Sequence, residues 1–211
     1  MATDDRLERY EPLIRASLSF GARDAVIIPS SAVVVEKRIS LKCRNGCPSH
    51  GTSLSCPPYA PGIGVFRGIL AEYAYVLVIR FVSQVRADET ILHALMKNRY
   101  DPAVTPEIRD RTMECMDALN QESRRIHDLM LGLERIAFQA GMPFALAFTP
   151  DSCDLCKKCN VKNGICLHPE KFRYPLEAVG INVIKTAANA GLTIKFPCPN
   201  PPDRIALLLI E

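Results

Sequence analysis

Apolar residues recur along this chain in two rhythms, and the alternation between them outlines a fold. From Leu7 to Phe20 the positions Leu7, Tyr10, Leu13, Ile14, Ala16, Ser17 and Phe20 return every three or four residues, as on one face of a helix, and Gly21 follows as a stop. "DAVIIP" and "SAVVVEKRISLK" are short and β-branched and predict strands. A helix is expected from about Val65 to Glu72, a strand over "YAYVLVIRFV", and a helix from about Asp88 to Arg99. Pro106 opens a long helix to about Ala140 with its stripe at Ile108, Thr112, Cys115, Leu119, Ile126, Leu129, Leu133, Ile136 and Ala140. Gly141 and Pro143 end it, "PFALAFTP" reads as a buried strand, and a helical stretch from Pro175 to Ala190 precedes two strands, "LTIKF" and "RIALLLI". Helices alternating with strands predict the α/β class, with a mixed sheet flanked by helices.

Two stretches follow neither rhythm. Residues 43–64, "CRNGCPSHGTSLSCPPYAPGIG", and residues 152–170, "SCDLCKKCNVKNGICLHPE", are rich in Gly, Pro, Ser and Cys and predict loops at the ends of regular elements. With 211 residues, 48% of them apolar, the chain is long enough to bury a core without disulfide staples, so it is expected to form one α/β domain over residues 1–211 carrying two cysteine-rich loops. "MATDDRLERYEPL" is acidic where a signal peptide is basic and then apolar, and the longest apolar runs reach about a third of a membrane span. No membrane association and a cytoplasmic location are therefore expected. Nine cysteines in a reducing compartment read as ligands or catalysts, and their odd number agrees. A net charge of +3, with no basic run, gives no reason to expect nucleic acid as a partner.

The later group runs Cys153-x2-Cys156-x2-Cys159-x6-Cys166, with Pro169 close behind. Two-residue gaps let successive thiolates converge from one loop, and three in a row cover three corners of a cube, whereas tetrahedral zinc sites draw ligand pairs from two separate turns. The triple favours a 4Fe-4S cluster, with zinc as the alternative. It resembles the bacterial ferredoxin run except in its last gap, six residues instead of three, which leaves the destination of Cys166 open.

The earlier group is Cys43-x3-Cys47-x8-Cys56, closed by Pro57, Pro58 and Tyr59. Three convergent cysteines suit a second cluster. Cys115 lies on the apolar stripe of the long helix and reads as a small core residue. Cys198 is expected not to be a ligand, because Pro197 and Pro199 restrict how its backbone adjusts. The first cluster then has three protein thiolates and one iron open to His50, water or a substrate. Lys42 and Arg44 beside the first group, and Lys157, Lys158, Lys162, Lys171 and Arg173 around the second, offset cluster charge or are simply solvated surface residues.

"LKCRNGCPSHGTSLSCPPYAPG" paired with "CDLCKKCNVKNGICLHPEKFRYPLEAVGINVIKTAANAG" resembles the prokaryotic family of predicted metal-binding proteins called domain of unknown function 2284, from about residue 25 to the C-terminus. The resemblance implies a cysteine-bound metal, iron-sulfur above zinc, and carries over Cys43, Cys47, Cys56, Cys153, Cys156, Cys159 and Cys166 as its ligands; Cys198 lies outside the matching motifs.

His93 and His127 sit on helices without an accompanying carboxylate or nucleophile pattern and read as packing or surface residues. "PGIGVFRG" lacks the spacing and lysine of a phosphate loop, and no serine nucleophile elbow is present. Three classes remain. The first is an electron-transfer protein with a redox partner protein. The second is an enzyme using an open iron of the Cys43/Cys47/Cys56 cluster as Lewis acid on a small-molecule substrate, and the third a structural zinc protein.

Overall fold

The computed structural model describes residues 8–96, 101–194 and 203–211. At its centre four strands, β1 (Asp24–Pro29), β2 (Tyr75–Phe81), β3 (Leu146–Phe148) and β4 (Arg204–Ile210), form one sheet in the order β1-β2-β4-β3. Each neighbouring pair is antiparallel, and a single parallel bridge joins Thr149 to Pro175 beyond the end of β3. The last strand of the chain therefore inserts between β2 and β3.

This position explains why "YVLVIRF" and "RIALLLI" are continuous apolar runs rather than alternating ones. Successive strand residues face opposite sides. Val76, Val78, Ile205, Leu207 and Leu209 enter one core with Phe66, Leu70, Leu176 and Val179, while Leu77, Ile79, Phe81, Ala206, Leu208 and Ile210 enter the other with Leu13, Met130, Leu133 and Ala137. Burying each large side chain from these strands stabilises the fold by about 1.5–3 kcal/mol.

The second of these cores is covered by α1 (Glu11–Ser19) and the 34-residue α5 (Pro106–Gln139). Thr105 caps α5, its side chain accepting from the Ile108 N–H, with Pro106 in the first turn. The inward stripe is Thr112, Cys115, Ile126, His127, Met130, Leu133 and Ala137, so Cys115 is a core residue as its spacing implied. His127 is buried too, while His93 lies exposed on α4 (Glu89–Met96). The first core is covered by α3 (Ile63–Leu70), a 3-10 turn at Leu176–Val179 and α6 (Val183–Asn189). The α/β class and the helix-flanked sheet expected from the sequence are both present, with the ladders between the described strands all antiparallel in place of the expected mixed sheet.

Three local expectations are corrected. "SAVVVEKRISLK" forms no strand: after a short 3-10 turn at Ser30–Ala32 the chain enters α2 (Lys37–Gly46). Val33 packs into the core and Val35 makes one isolated bridge to Ile181, so the β-branched run is used for burial rather than for a ladder. Glu36 ends that run, and its carboxylate accepts from Arg38 Nε (2.6 Å), Lys185 Nζ (2.6 Å) and Asn182 Nδ2 (2.9 Å). Those donors hold it at about 2, well below the ordinary glutamate range. The expected helix from Pro175 to Ala190 is interrupted at Gly180, whose φ of +88° favours glycine; a Cβ there would lie 2.8 Å from Ile63 Cγ1. Finally, Leu192 packs in the core and residues 192–194 take no strand pairing; the rest of "LTIKF", Leu7 and residues 97–99 lie outside the described residues.

Candidate metal centre

The start of α2 is pinned to α6 and the segment just before it. Glu36 N–H donates to Gly180 O (2.8 Å), Asn182 N–H to Val34 O (2.7 Å), and Val34 N–H to Thr186 Oγ1 (3.0 Å). From that anchor the helix carries Cys43 in its last turn and ends on Cys47, whose N–H bonds back to Cys43 O (3.3 Å). Cys43 therefore sits on a helix, where its Gly- and Pro-rich neighbourhood predicted a loop. Its Sγ lies 3.8 Å from Glu177 O on the 3-10 turn.

Beyond Cys47 the chain does run as a loop of consecutive turns. His50 N–H returns to Cys47 O, Gly51 N–H to Pro57 O at 2.9 Å, and the N–H groups of Tyr59 and Ala60 to Cys56 O. Gly51 has a φ of +71°, and the Pro57–Pro58 peptide is cis. Cys56 is buried, as are Ser53 and Ser55 beside it.

The second group leaves the sheet just after β3. Thr149, buried, bonds through its backbone to Tyr174 and Leu176, closing the base of the loop. Asp151 ties that base to α5 through Ser123 Oγ (2.6 Å), with Arg204 Nη1 of β4 at 3.5 Å. Arg124 of α5 holds Asp154 at 2.7 Å, and Arg173 pairs with Glu134 near the loop's return. His127 Nε2 lies 2.7 Å from Lys171 O and braces the same return from the helix side. Between these anchors Cys153, Cys156, Cys159 and Cys166 share one excursion, with a 3-10 turn at Val161–Asn163 and a left-handed Gly164 (φ +65°) before Cys166.

The two excursions, about a hundred residues apart in the chain, are laced together. Ser55 Oγ, fully buried, accepts from the Cys153 N–H (3.3 Å) and lies 3.0 Å from Ser53 Oγ and 3.8 Å from Cys56 Sγ. The Leu54 N–H donates to Cys159 Sγ (3.4 Å), and Ser49 Oγ to Ser152 Oγ (3.0 Å). Ser49, Ser53, Leu54 and Ser55 are residues of the candidate site that reading the sequence missed. Serines in a Gly/Pro loop resemble ordinary turn formers, and only the fold brings them to the other group.

The thiols act on one another within each set and, between Cys56 and Cys153, across the two. Burial pushes Cys56 up to about 11, the Ser55 hydroxyl opposing and the thiols of Cys47, Cys43 and Cys153 adding to the shift. Burial raises Cys43, with Cys47 and Glu177 adding and Lys42 opposing. Cys153 is raised by burial, relieved by a backbone bond from Leu155, and raised further by Cys166, Cys159 and Cys156. Cys156 rises through burial and then through Cys159 and Cys166. Cys166, whose last gap left its destination open, thus lies within electrostatic reach of its own group.

Among the described residues no three His, Cys, Asp or Glu side chains converge tightly enough to hold a metal ion as they stand. The donor chemistry nevertheless fits a metal group. All seven thiols are free, soft thiolates select zinc or iron-sulfur clusters, and thiols that oppose one another's ionisation lose that opposition when a cation is bound among them. A cavity of about 480 Å³ reaches Cys43, Cys47 and Cys56 and is also lined by His50, Asp151 and Glu177. Burial pushes the Glu177 carboxyl up. A second cavity, about 520 Å³, runs from Cys156 along α5 past Arg124 and His127 to Lys171. Cys198 lies outside the described residues. No helix among them is long and apolar enough to cross a membrane.

Residues 26–210 match the family described as "Predicted metal-binding protein (DUF2284)", and the chain belongs to that family. No curated protein and no solved structure matches it.

Proposed function

We propose, starting from membership in a family of predicted metal-binding proteins, that this chain is a two-centre iron-sulfur protein working in electron transfer. Cys153, Cys156, Cys159 and Cys166 would hold one 4Fe-4S cluster, and Cys43, Cys47 and Cys56 a second. The observation that carries the reading is the lacing of the two cysteine groups through Ser55, Leu54 and Ser49, which makes neighbours of two thiol sets that a zinc-stapled fold has no need to bring together. A cluster so held supplies one-electron chemistry at a potential set by hydrogen bonds to its sulfurs and by exposure. The chain's own contribution is the Leu54 N–H aimed at Cys159 Sγ, the burial of Cys56, and the closure of both loop bases by backbone bonds.

The cavity of about 480 Å³ at Cys43, Cys47 and Cys56 favours a second reading, in which a small substrate binds there and an iron with an open position supplies Lewis acidity. In that case His50, Asp151 and Glu177 orient the substrate and handle its protons.

Anaerobic purification with metal and sulfide assays tests the main reading. About eight iron and eight acid-labile sulfide per chain are expected, with mutually perturbed paramagnetic signals after reduction. Colourless protein with about one or two zinc ions per chain would overturn both readings.

A further inference from the structure

The outer rim of the second cysteine loop combines two features that the centre itself does not require. Ile165 and Leu167, on either side of Cys166, are 62% and 60% exposed. Flanking a ligand candidate, these two large side chains offer solvent an apolar surface that a docked partner would cover. Along the same stretch of chain Lys157, Lys158, Lys162 and Lys171 are exposed, and among the described residues none of the four pairs with a carboxylate. The acidic neighbour Asp154 is taken up by Arg124, which leaves Glu170 as the exposed carboxylate of this stretch. Charges that served only to offset a cluster would be turned inward. These lie outside, where an approaching molecule meets them first, and a hydrogen bond to Cys159 Sγ comes from the Leu54 backbone instead.

We propose that this rim is the docking surface for a small acidic electron-transfer protein. The inference rests on the iron-sulfur reading above. The lysines steer the acidic partner, and Ile165 and Leu167 form the dry centre of the contact beside Cys166. With a 4Fe-4S cluster held by Cys153, Cys156, Cys159 and Cys166, one electron would pass from the partner's reduced centre to it, the partner being oxidised by one unit and the cluster reduced from 2+ to 1+ with no bond made or broken.

An acidic [2Fe-2S] ferredoxin serves as probe, with binding read by calorimetry and association by stopped flow on the cluster-loaded chain. Wild-type affinity is expected to fall by about tenfold or more between roughly 20 and 200 mM salt, as the screening length shortens. The triple variant Lys157→Glu, Lys158→Glu, Lys162→Glu is expected to slow association by about 10–100-fold at low salt and to converge with wild type at high salt. Its iron content and its reduction by dithionite should be unchanged. The pair Ile165→Ser, Leu167→Ser is expected to raise the dissociation rate several-fold with the salt slope intact. If the triple variant folds poorly, Lys157→Gln with Lys162→Gln must still weaken binding in the same direction. Equal binding by wild type and charge variants, or a preference for a basic donor over the acidic one, would overturn the docking surface while iron, sulfide and dithionite reduction leave the cluster reading standing. Protein without iron takes down both.

Discussion

β2 and the Cys153–Lys171 stretch represent two ways of holding a chain in place. In β2, Val76, Leu77, Val78 and Ile79 are each completely shielded, divided between two cores and paired on both edges. Between residues 151 and 171 no residue is more than partly buried, and the loop is fastened at its base by Asp151, Asp154 and Thr149 and further along by single hydrogen bonds to Ser55 and Leu54. The first region carries enough apolar burial to offset its ordering entropy; the second does not. The difference teaches where the free energy of each comes from: solvent exclusion for the sheet and, on the function proposed above, ligand bonds for the cysteine loops.

The comparison breaks most visibly in the sheet. Leu208→Ala removes a side chain wholly buried against α5 and is expected to cost about 2–5 kcal/mol of global stability in denaturant unfolding, with metal content per folded molecule unchanged. A loss under about 1 kcal/mol would mean that β4 is not the keystone the burial implies.

Next comes Cys156→Ser, which acts on the loop alone. It is expected to lose one of the two centres and to make residues around 152–170 protease-sensitive, while far-ultraviolet circular dichroism and the main unfolding transition stay close to wild type. Full iron content with an intact protection pattern would show that Cys156 is not a ligand and that the loop orders itself.

Ser55→Ala sits on the boundary and sharpens the contrast. It strips the acceptor from the Cys153 N–H inside a buried site, so a cost of about 1–3 kcal/mol is expected. Both centres should still load, and the loss should appear as faster amide exchange in the two loops together. Faster exchange in one loop only would show that Ser55 belongs to that loop and does not join them.

What was legible in the sequence follows the same division. "DAVIIP" is β1 residue for residue and Pro106 does open the long helix, because periodicity and capping are local signals with large energies behind them. The cysteine spacings revealed two thiol sets for the same reason. α2 was misread because Val33 to Val35 look like a ladder, yet only one bridge forms and the helix after them is stabilised by Glu36 reaching Lys185 and Asn182, nearly 150 residues away. Gly180 reads as a helix-interior glycine until Ile63 is seen packed against it. The insertion of β4 between β2 and β3 and the hydroxyl of Ser55 between two cysteine groups are tertiary facts, set by which surfaces meet, and no window of neighbouring residues contains them.

The Ser55 hydroxyl, wedged between Cys56 and Cys153, also bears on maturation. A metal group that settled in one loop would hold that hydroxyl in place, and with it part of the other loop's entropic cost of closure would already be met. Reciprocity then requires that the second occupant strengthen the first by the same factor. Titrated with the metal group proposed above, such a chain would load its second loop more readily than its first, and a variant unable to hold one occupant would hold the other more weakly.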